Sequence, residues 1–202
     1  MRELHLRSDR SSPLVRSDEG TPDPLLIQRI AAGNRLAMQV LYLRHHLRVY
    51  RHITRIVSDH AATEDLLSDT FLDVWRKADT FRGHASVATW LLTIARNKSI
   101  SALRRRSPAT LDQERAALAD AQDSPELRLQ KKQEFGALQN SLARLSPKHR
   151  EIISLVYYQE KSCEEAAAIL GTPRNTVKTR VFYARRRLEE LLTAAGINSP
   201  AI

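Results

Sequence analysis

From Asp23 onward the apolar residues recur at steps of three and four: Leu26, Ile30, Ala37 and Leu41, then Leu47, Tyr50, Ile53, Ile56 and Val57. That spacing gathers them on one face of a helix, whereas a half-buried strand needs strict alternation. Gly33 and Asn34 interrupt the pattern and predict a break between a short helix and a long one. Thr63, followed by Glu64 and Asp65, predicts the next start, because a hydroxyl caps free amides and acids suit the positive end of the helix dipole. The stripe Leu66, Leu67, Thr70, Phe71, Val74 and Trp75 carries that helix to about Ala78. A loop of Gly and small polar residues, Phe81 to Ser86, precedes Trp90, Leu91, Ile94, Ala95 and Ile100, where helical spacing returns and Trp90 reads as core. The helix ends in Arg104, Arg105 and Arg106, with Ser107 and Pro108 as its stop.

Further on, Leu138, Leu142 and Leu145 lead to Ser146 and Pro147, a cap and a first-turn proline for a helix carrying Ile152, Ile153, Leu155 and Val156. A short helix is predicted from Ser162 to Leu170, with Ser162 and Glu165 in capping-box spacing and Gly171 closing it. Thr172 is the expected cap of the last helix, with Pro173 in its first turn and Val177, Val181, Ala184, Leu188 and Leu191 as its apolar stripe. Two helices joined by a tight glycine turn, the second of them basic, make a helix-turn-helix. Ala166, Ala167 and Ala168 supply the small side chains that a close crossing requires. Between Pro173 and Arg187 stand six positive charges and no acid, which suits a helix entering a groove lined by phosphates.

Composition sharpens this picture. With 202 residues, 5% aromatic content and only six Gly, the chain fits two small helical domains joined by a flexible linker better than a β sandwich. The expected division is a disordered tail over 1–22, a helical domain over 23–106, an acidic linker over 107–130, a helix-turn-helix domain over 131–195 and a tail over 196–202. A net charge of +9 favours a polyanionic partner. No apolar run reaches the roughly 18 residues of a membrane helix, and the first residues lack a signal peptide's apolar core, so no membrane insertion and a cytoplasmic location are expected. The single Cys163 cannot form an internal disulfide and reads as a packed helical residue. His45, His46, His52 and His60 lie along helical segments without a matching carboxylate or Cys pattern, and no phosphate-binding Gly loop or nucleophile motif appears. No catalytic residue, metal or cofactor is therefore expected, and an enzyme acting on nucleic acid is disfavoured.

Two blocks, AATEDLLSDTFLDVWRKADTFRGHASVATWLLTIARNKSISALRRR and LARLSPKHREIISLVYYQEKSCEEAAAILGTPRNTVKTRVFYARRRLEELL, resemble regions two and four of the extracytoplasmic-function group of bacterial sigma factors. The resemblance covers about residues 24–192. It implies a sigma factor that directs core RNA polymerase to promoters, docking on the β′ clamp and the β flap, and that an anti-sigma factor holds in check. It assigns polymerase binding to Asp65, Leu66, Ser68, Asp69, Phe71 and Asp73 on the 64–78 helix. Capture of the melted minus-ten strand falls to Phe81, Arg82, His84, Ser86, Arg96, Asn97, Lys98, Ser101, Arg104 and Arg105. Reading of the duplex minus-thirty-five element falls to Arg174, Asn175, Thr176, Lys178, Thr179, Arg180, Phe182, Tyr183 and Arg186. A basic groove for the backbone and an amide such as Asn97 for a base turned out of the stack suit single-strand capture. The chain departs from the family pattern at Asn175, often Gly, at Tyr183, often basic, at Ser68, often Gln, and at Ser101, often an amide or acid. The alternative is a stand-alone helix-turn-helix regulator, which predicts a palindromic site and tight binding by the protein alone.

Overall fold

The computed structural model describes residues 20–57, 59–105 and 136–197; of the expected tails and linker, residues 1–19, 106–135 and 198–202 lie outside the described residues. Among the described residues every regular element is a helix. These are α1 (Asp23–Ala31), α2 (Arg35–Val57), α3 (His60–Lys77), a 3-10 turn (Ala78–Thr80), α4 (Val87–Arg105), α5 (136–144), α6 (Pro147–Ile153), α7 (Cys163–Leu170) and α8 (Arg174–Ala194).

The break between α1 and α2 falls where expected, with Gly33 at φ +83° and the Asn34 Oδ1 accepting from the Ala37 amide at 3.0 Å. Asp23 then ties the two helices together, because its carboxylate meets both the Arg44 guanidinium and, at 2.7 Å, the His45 Nε2. The start of α3 differs from the expectation. Asp59, not Thr63, is its cap and accepts from the Ala62 amide at 3.0 Å, while Thr63 is buried one turn in and donates to the Asp59 carbonyl at 2.7 Å. A carboxylate four residues nearer the turn serves the first free amides, so the hydroxyl is left to bond back along the helix.

Helices α2, α3 and α4 pack on one another, and α1 lies across α2 and the 3-10 turn. Their core includes Leu26, Leu41, Ile53, Phe71, Val74 and Leu91. Leu47, placed by its spacing in the apolar stripe of α2, is 57% exposed, because the stripe slides around the helix and Val49 and Ile53 take the inner positions. Trp90 is half buried against this core and meets Phe81 at a tilt of 52°, with ring centroids 5.2 Å apart.

A second core joins Leu145, Ile152, Leu155, Ile169, Val177 and Leu191. Ser146 caps α6 as expected, accepting from the His149 amide at 3.3 Å. Beyond Ile153 the helix widens into a π turn over Ser154–Tyr158, in which the Gln159 amide donates to the Ser154 carbonyl at 3.0 Å. The capping box of α7 is complete: Ser162 accepts from the Glu165 amide and Glu165 accepts from the Ser162 amide, both at 3.1 Å. Gly171 ends α7 at φ +61°, a conformation that glycine adopts without a Cβ penalty. The expected Thr172 cap does not form. Pro173 is the cap residue of α8, with no side-chain cap bond, and the Thr172 hydroxyl is buried without a partner.

These two hydroxyls should therefore respond differently to truncation. Ser162→Ala is expected to lower stability by about 1 kcal/mol, the usual cost of losing a cap, whereas Thr172→Ala should leave stability nearly unchanged. Urea unfolding of the three proteins followed by circular dichroism distinguishes them.

Candidate nucleic-acid interface

The basic face of α8 follows from its packing. Val177, Ala184 and Leu191 turn inward and are 0%, 0% and 3% exposed, which leaves Asn175, Thr176, Lys178 and Thr179 facing outward. Asn175, Thr176, Thr179, Arg180 and Tyr183 line a shallow groove on this face. Phe182 and Tyr183 are 61% and 54% exposed and meet edge to face with centroids 5.4 Å apart. Large aromatic side chains are rarely left so open without a partner, and beside a groove of donors they offer an apolar contact of the kind a thymine methyl takes. Arg174 is paired with Glu164 at 2.6 Å, and Arg186 lies 3.6 Å from Glu190. The nine residues assigned to duplex reading thus share one exposed helix, of which Arg180 is half buried.

A neighbouring groove brings Arg144, Ser146 and His149 beside Tyr183, Arg186 and Arg187. Arg144 and His149 were not singled out in the sequence. The basic run from Arg144 to Arg150 was the available signal, but an apolar pattern on the same segment reads first as helix.

The residues assigned to strand capture point in several directions. Asn97, Ser101, Arg104 and Arg105 recur at steps of four, three and one, and form an exposed face toward the end of α4. Arg82 and His84 are exposed in the preceding loop, while Phe81 is half buried on Trp90. Lys98 turns toward α3, where its Nζ lies 3.3 Å from the Asp73 carboxylate and 4.0 Å from that of Asp69. Arg96 turns toward the second core and makes a two-bond contact with Glu151, Nε to Oε1 at 2.6 Å and Nη2 to Oε2 at 3.3 Å. Ser86 donates to Glu165 at 3.2 Å. A step of 100° per residue sends Arg96, Asn97 and Lys98 to separate sides of one helix.

On α3 the residues assigned to polymerase binding also divide. Asp65, Ser68 and Asp69 are exposed, but Leu66 and Phe71 are 9% and 4% exposed and belong to the core. The hydrogen bond from Lys77, together with Lys98 nearby and against partial burial, holds the Asp73 carboxyl below its ordinary pKa. The open apolar side chain on this helix is Leu72, 51% exposed, which lines a groove with Arg35, Met38, Ser68, Phe71 and Trp75. Spacing puts Phe71 in the apolar stripe and Leu72 outside it, so the choice of Phe71 as the contact came from the family resemblance and not from the pattern. Among the described residues no group of His, Cys, Asp and Glu gathers as a metal site, and no helix is long and apolar enough to cross a membrane.

Residues 41–108 match the Sigma-70 region 2 family and residues 141–190 match Sigma-70, region 4. The chain is 31% identical over 172 residues to the ECF RNA polymerase sigma factor SigL of Mycobacterium tuberculosis, covering 83% of this chain and 95% of that protein. It is 29% identical over 163 residues to the RNA polymerase sigma factor YlaC of Bacillus subtilis, covering 79% and 94% of the two chains. Among solved structures, CnrH in complex with the cytosolic domain of CnrY superposes with a TM-score of 0.64 at 27% identity over 85% of this chain and 97% of that one. The sigma factor RpoE of Bartonella quintana, in complex with the anti-sigma factor NepR, superposes with a TM-score of 0.62 at 32% identity over 77% and 96% of the two chains.

Proposed function

Because this chain belongs to the extracytoplasmic-function RNA polymerase sigma factors, we propose that α8 reads the duplex minus-thirty-five element while the α4 surface captures the melted minus-ten strand. The protein is an RNA polymerase sigma factor that acts in transcription initiation. The observation that carries the division of labour is the acid-free run from Arg174 to Arg187 on the outer face of α8, held outward by Val177, Ala184 and Leu191 and preceded by a capped, glycine-closed α7. Lys178 and Arg180 supply donors for phosphate or guanine, and Phe182 and Tyr183 supply apolar contact to the groove. On α4, Asn97 offers both a donor and an acceptor to an unstacked base, while Ser101, Arg104 and Arg105 follow the backbone.

Docking on core polymerase falls to the exposed side of α3, with Asp65, Ser68 and Asp69 as the polar contacts and Leu72 as the apolar one. Leu66, Phe71 and Asp73 support that surface from behind. The two helical modules work in register only when a larger enzyme holds both, since engaging the second promoter element then becomes nearly intramolecular. The protein acts in the cytoplasm and contributes binding rather than a chemical step. The complex of RpoE with the anti-sigma factor NepR supports a protein partner of the anti-sigma kind for this chain as well.

Transcription in vitro from a promoter library tests this reading. With bacterial core polymerase the full chain is expected to select templates carrying two unlike elements at a fixed spacing, and raising salt should weaken the complex steeply through counterion release. Tight binding of the free protein to a palindrome, with no association to core polymerase, would overturn it in favour of a stand-alone regulator.

A further inference from the structure

The outward side of α2 carries a row of apolar side chains. Leu36, Leu43 and Leu47 are 36%, 54% and 57% exposed. With Val40 between the first two and Tyr50 and Thr54 beyond, positions 36, 40, 43, 47, 50 and 54 alternate steps of four and three. That alternation is the seam of a helix that packs along another helix, and here it runs for about 27 Å at 1.5 Å per residue. A lone exposed leucine is ordinary on a protein surface, but three in one register make a contiguous patch. The described neighbours of α2 lie on its other sides. Phe71 of α3 meets Tyr42 with ring centroids 4.8 Å apart, the Asp23 carboxylate sits at Arg44 and His45, and the Tyr158 ring lies 4.5 Å from the Arg55 guanidinium.

We propose that this seam receives an amphipathic helix of a partner protein, one whose apolar stripe is flanked by Asp and Glu. Charge selects that occupant. The α2 helix holds five arginines and no acid over its 23 residues. On one flank of the seam stand Arg44 and Arg51, with Arg48 beside them, and Arg48 and Arg51 are exposed. On the other flank stand Gln39 and His46. Carboxylates on the flanks of an incoming helix would therefore meet guanidinium groups along one edge of the leucine row, and flanking charge is what sets the choice of partner in such helix pairs. A second copy of the chain fits badly. In an antiparallel pair of α2 helices the arginine flank faces its own counterpart, and in a parallel pair it faces Gln39 and His46, so neither arrangement brings an acid to an arginine. An acidic lipid surface fits badly too, because a helix lying on a membrane buries a broad apolar face, whereas this row is the width of a helix-pairing seam with polar residues on both borders. The face is also separate from the α3 surface assigned to core polymerase and from the α4 and α8 surfaces assigned to DNA, so a helix seated there leaves those surfaces open.

The test uses the full chain and a synthetic, fluorescein-labelled peptide of three heptads, with Leu at both seam positions and Glu at both flanking positions of each. Fluorescence anisotropy is expected to show saturable binding of one peptide per chain. Leu43→Gln with Leu47→Gln should weaken it at least tenfold, since two leucines of the seam are lost while glutamine keeps the helix. Arg48→Gln with Arg51→Gln should weaken it severalfold, and so should a peptide with Lys in place of Glu. Lys148→Gln with Arg185→Gln, which removes two exposed cations from the second module, should change nothing. Thermal melting by circular dichroism should match the parent for every variant, because the replaced side chains are exposed. Undiminished binding by the leucine variant, or equal binding of the Glu and Lys peptides, would overturn the proposal. Three other results would give the face to a different occupant and equally overturn it: a sedimenting dimer that the leucine changes abolish, capture by phosphatidylglycerol vesicles that they abolish, or loss of promoter-library transcription with core polymerase in the leucine variant. Failure of the parent protein itself to support transcription would count against the sigma-factor reading and leave the seam untouched.

Discussion

Replacing Lys178 and Arg180 together with alanine should lower promoter-specific transcription by about a hundredfold on templates whose activity depends on the upstream duplex element. Each well-formed contact from a basic side chain to a base is worth about 1–3 kcal/mol, and every 1.4 kcal/mol is about a tenfold change in affinity. Losing two such donors on one face of α8 therefore removes on the order of 3 kcal/mol if they act independently. Stability should scarcely change, since Lys178 is exposed and the α8 core is carried by Val177, Ala184 and Leu191. The comparison that decides the matter is a forked template that already presents the opened downstream strand and lacks the upstream duplex. There the double variant should initiate as well as the parent protein. An equal loss on both templates would place the defect in polymerase docking or folding, and no loss on either would remove α8 from promoter reading.

Much of this architecture was legible because local rules act over a few residues. The Gly33 break, the Ser146 cap, the capping box from Ser162 to Glu165 and the Gly171 stop are each set by neighbours within one turn, and each stands where its residues predict it. The misplaced starts at Thr63 and Thr172 have a common cause. Both threonines are adequate caps, but a better acceptor at Asp59 and a proline at Pro173 determine where the helices begin, leaving one hydroxyl bonded backward and the other buried alone.

Contacts between modules left no such trace. Leu92 falls outside the α4 stripe of Trp90, Leu91, Ile94, Ala95 and Ile100, and nothing in the pattern says that a second core covers it while Leu91 packs in the first. Glu151 and Glu165 lie 55 and 76 residues from the partners they meet on α4, a separation over which hydrophobic periodicity says nothing. The strand-capture set inherited from the family resemblance was consequently drawn as one surface, whereas its Arg96 turns into the second module to meet Glu151 and its Ser86, still exposed, bonds Glu165. The division of Leu66, Phe71 and Leu72 on α3 differs, because the apolar stripe already holds Leu66 and Phe71 and leaves Leu72 outside it, and burial follows that pattern.

Lowering the pH from 7.5 to 5 should cost the folded protein about 2 kcal/mol through one side chain, His52. It is 1% exposed, and neither ring nitrogen has a hydrogen-bond partner. Burial first, and then the positive charges of Arg55 and Arg96, hold its pKa at about 4 against an ordinary 6.5. The folded chain thus keeps His52 neutral to about pH 4, while the unfolded chain takes up a proton below about 6.5. Stability from the neutral ring is complete above 6.5 and is lost as the pH falls toward 4, at about 1.4 kcal/mol per unit. Glu165 works in a different window: its contribution is present above 4.5 and is lost only as the pH falls toward about 2. His45, lowered by burial despite Asp23, slopes in the same direction as His52 and must be subtracted. His52→Leu does so, because it removes the titrating ring and leaves His45 in place. The difference in unfolding free energy between parent and His52→Leu, measured in urea at pH 7.5 and at pH 5, should shift by about 2 kcal/mol in favour of the leucine variant at the lower pH. A difference that stays constant across that range would mean the imidazole is hydrated or paired in solution, and the packing of α2 against α4 at Arg96 would have to be redrawn.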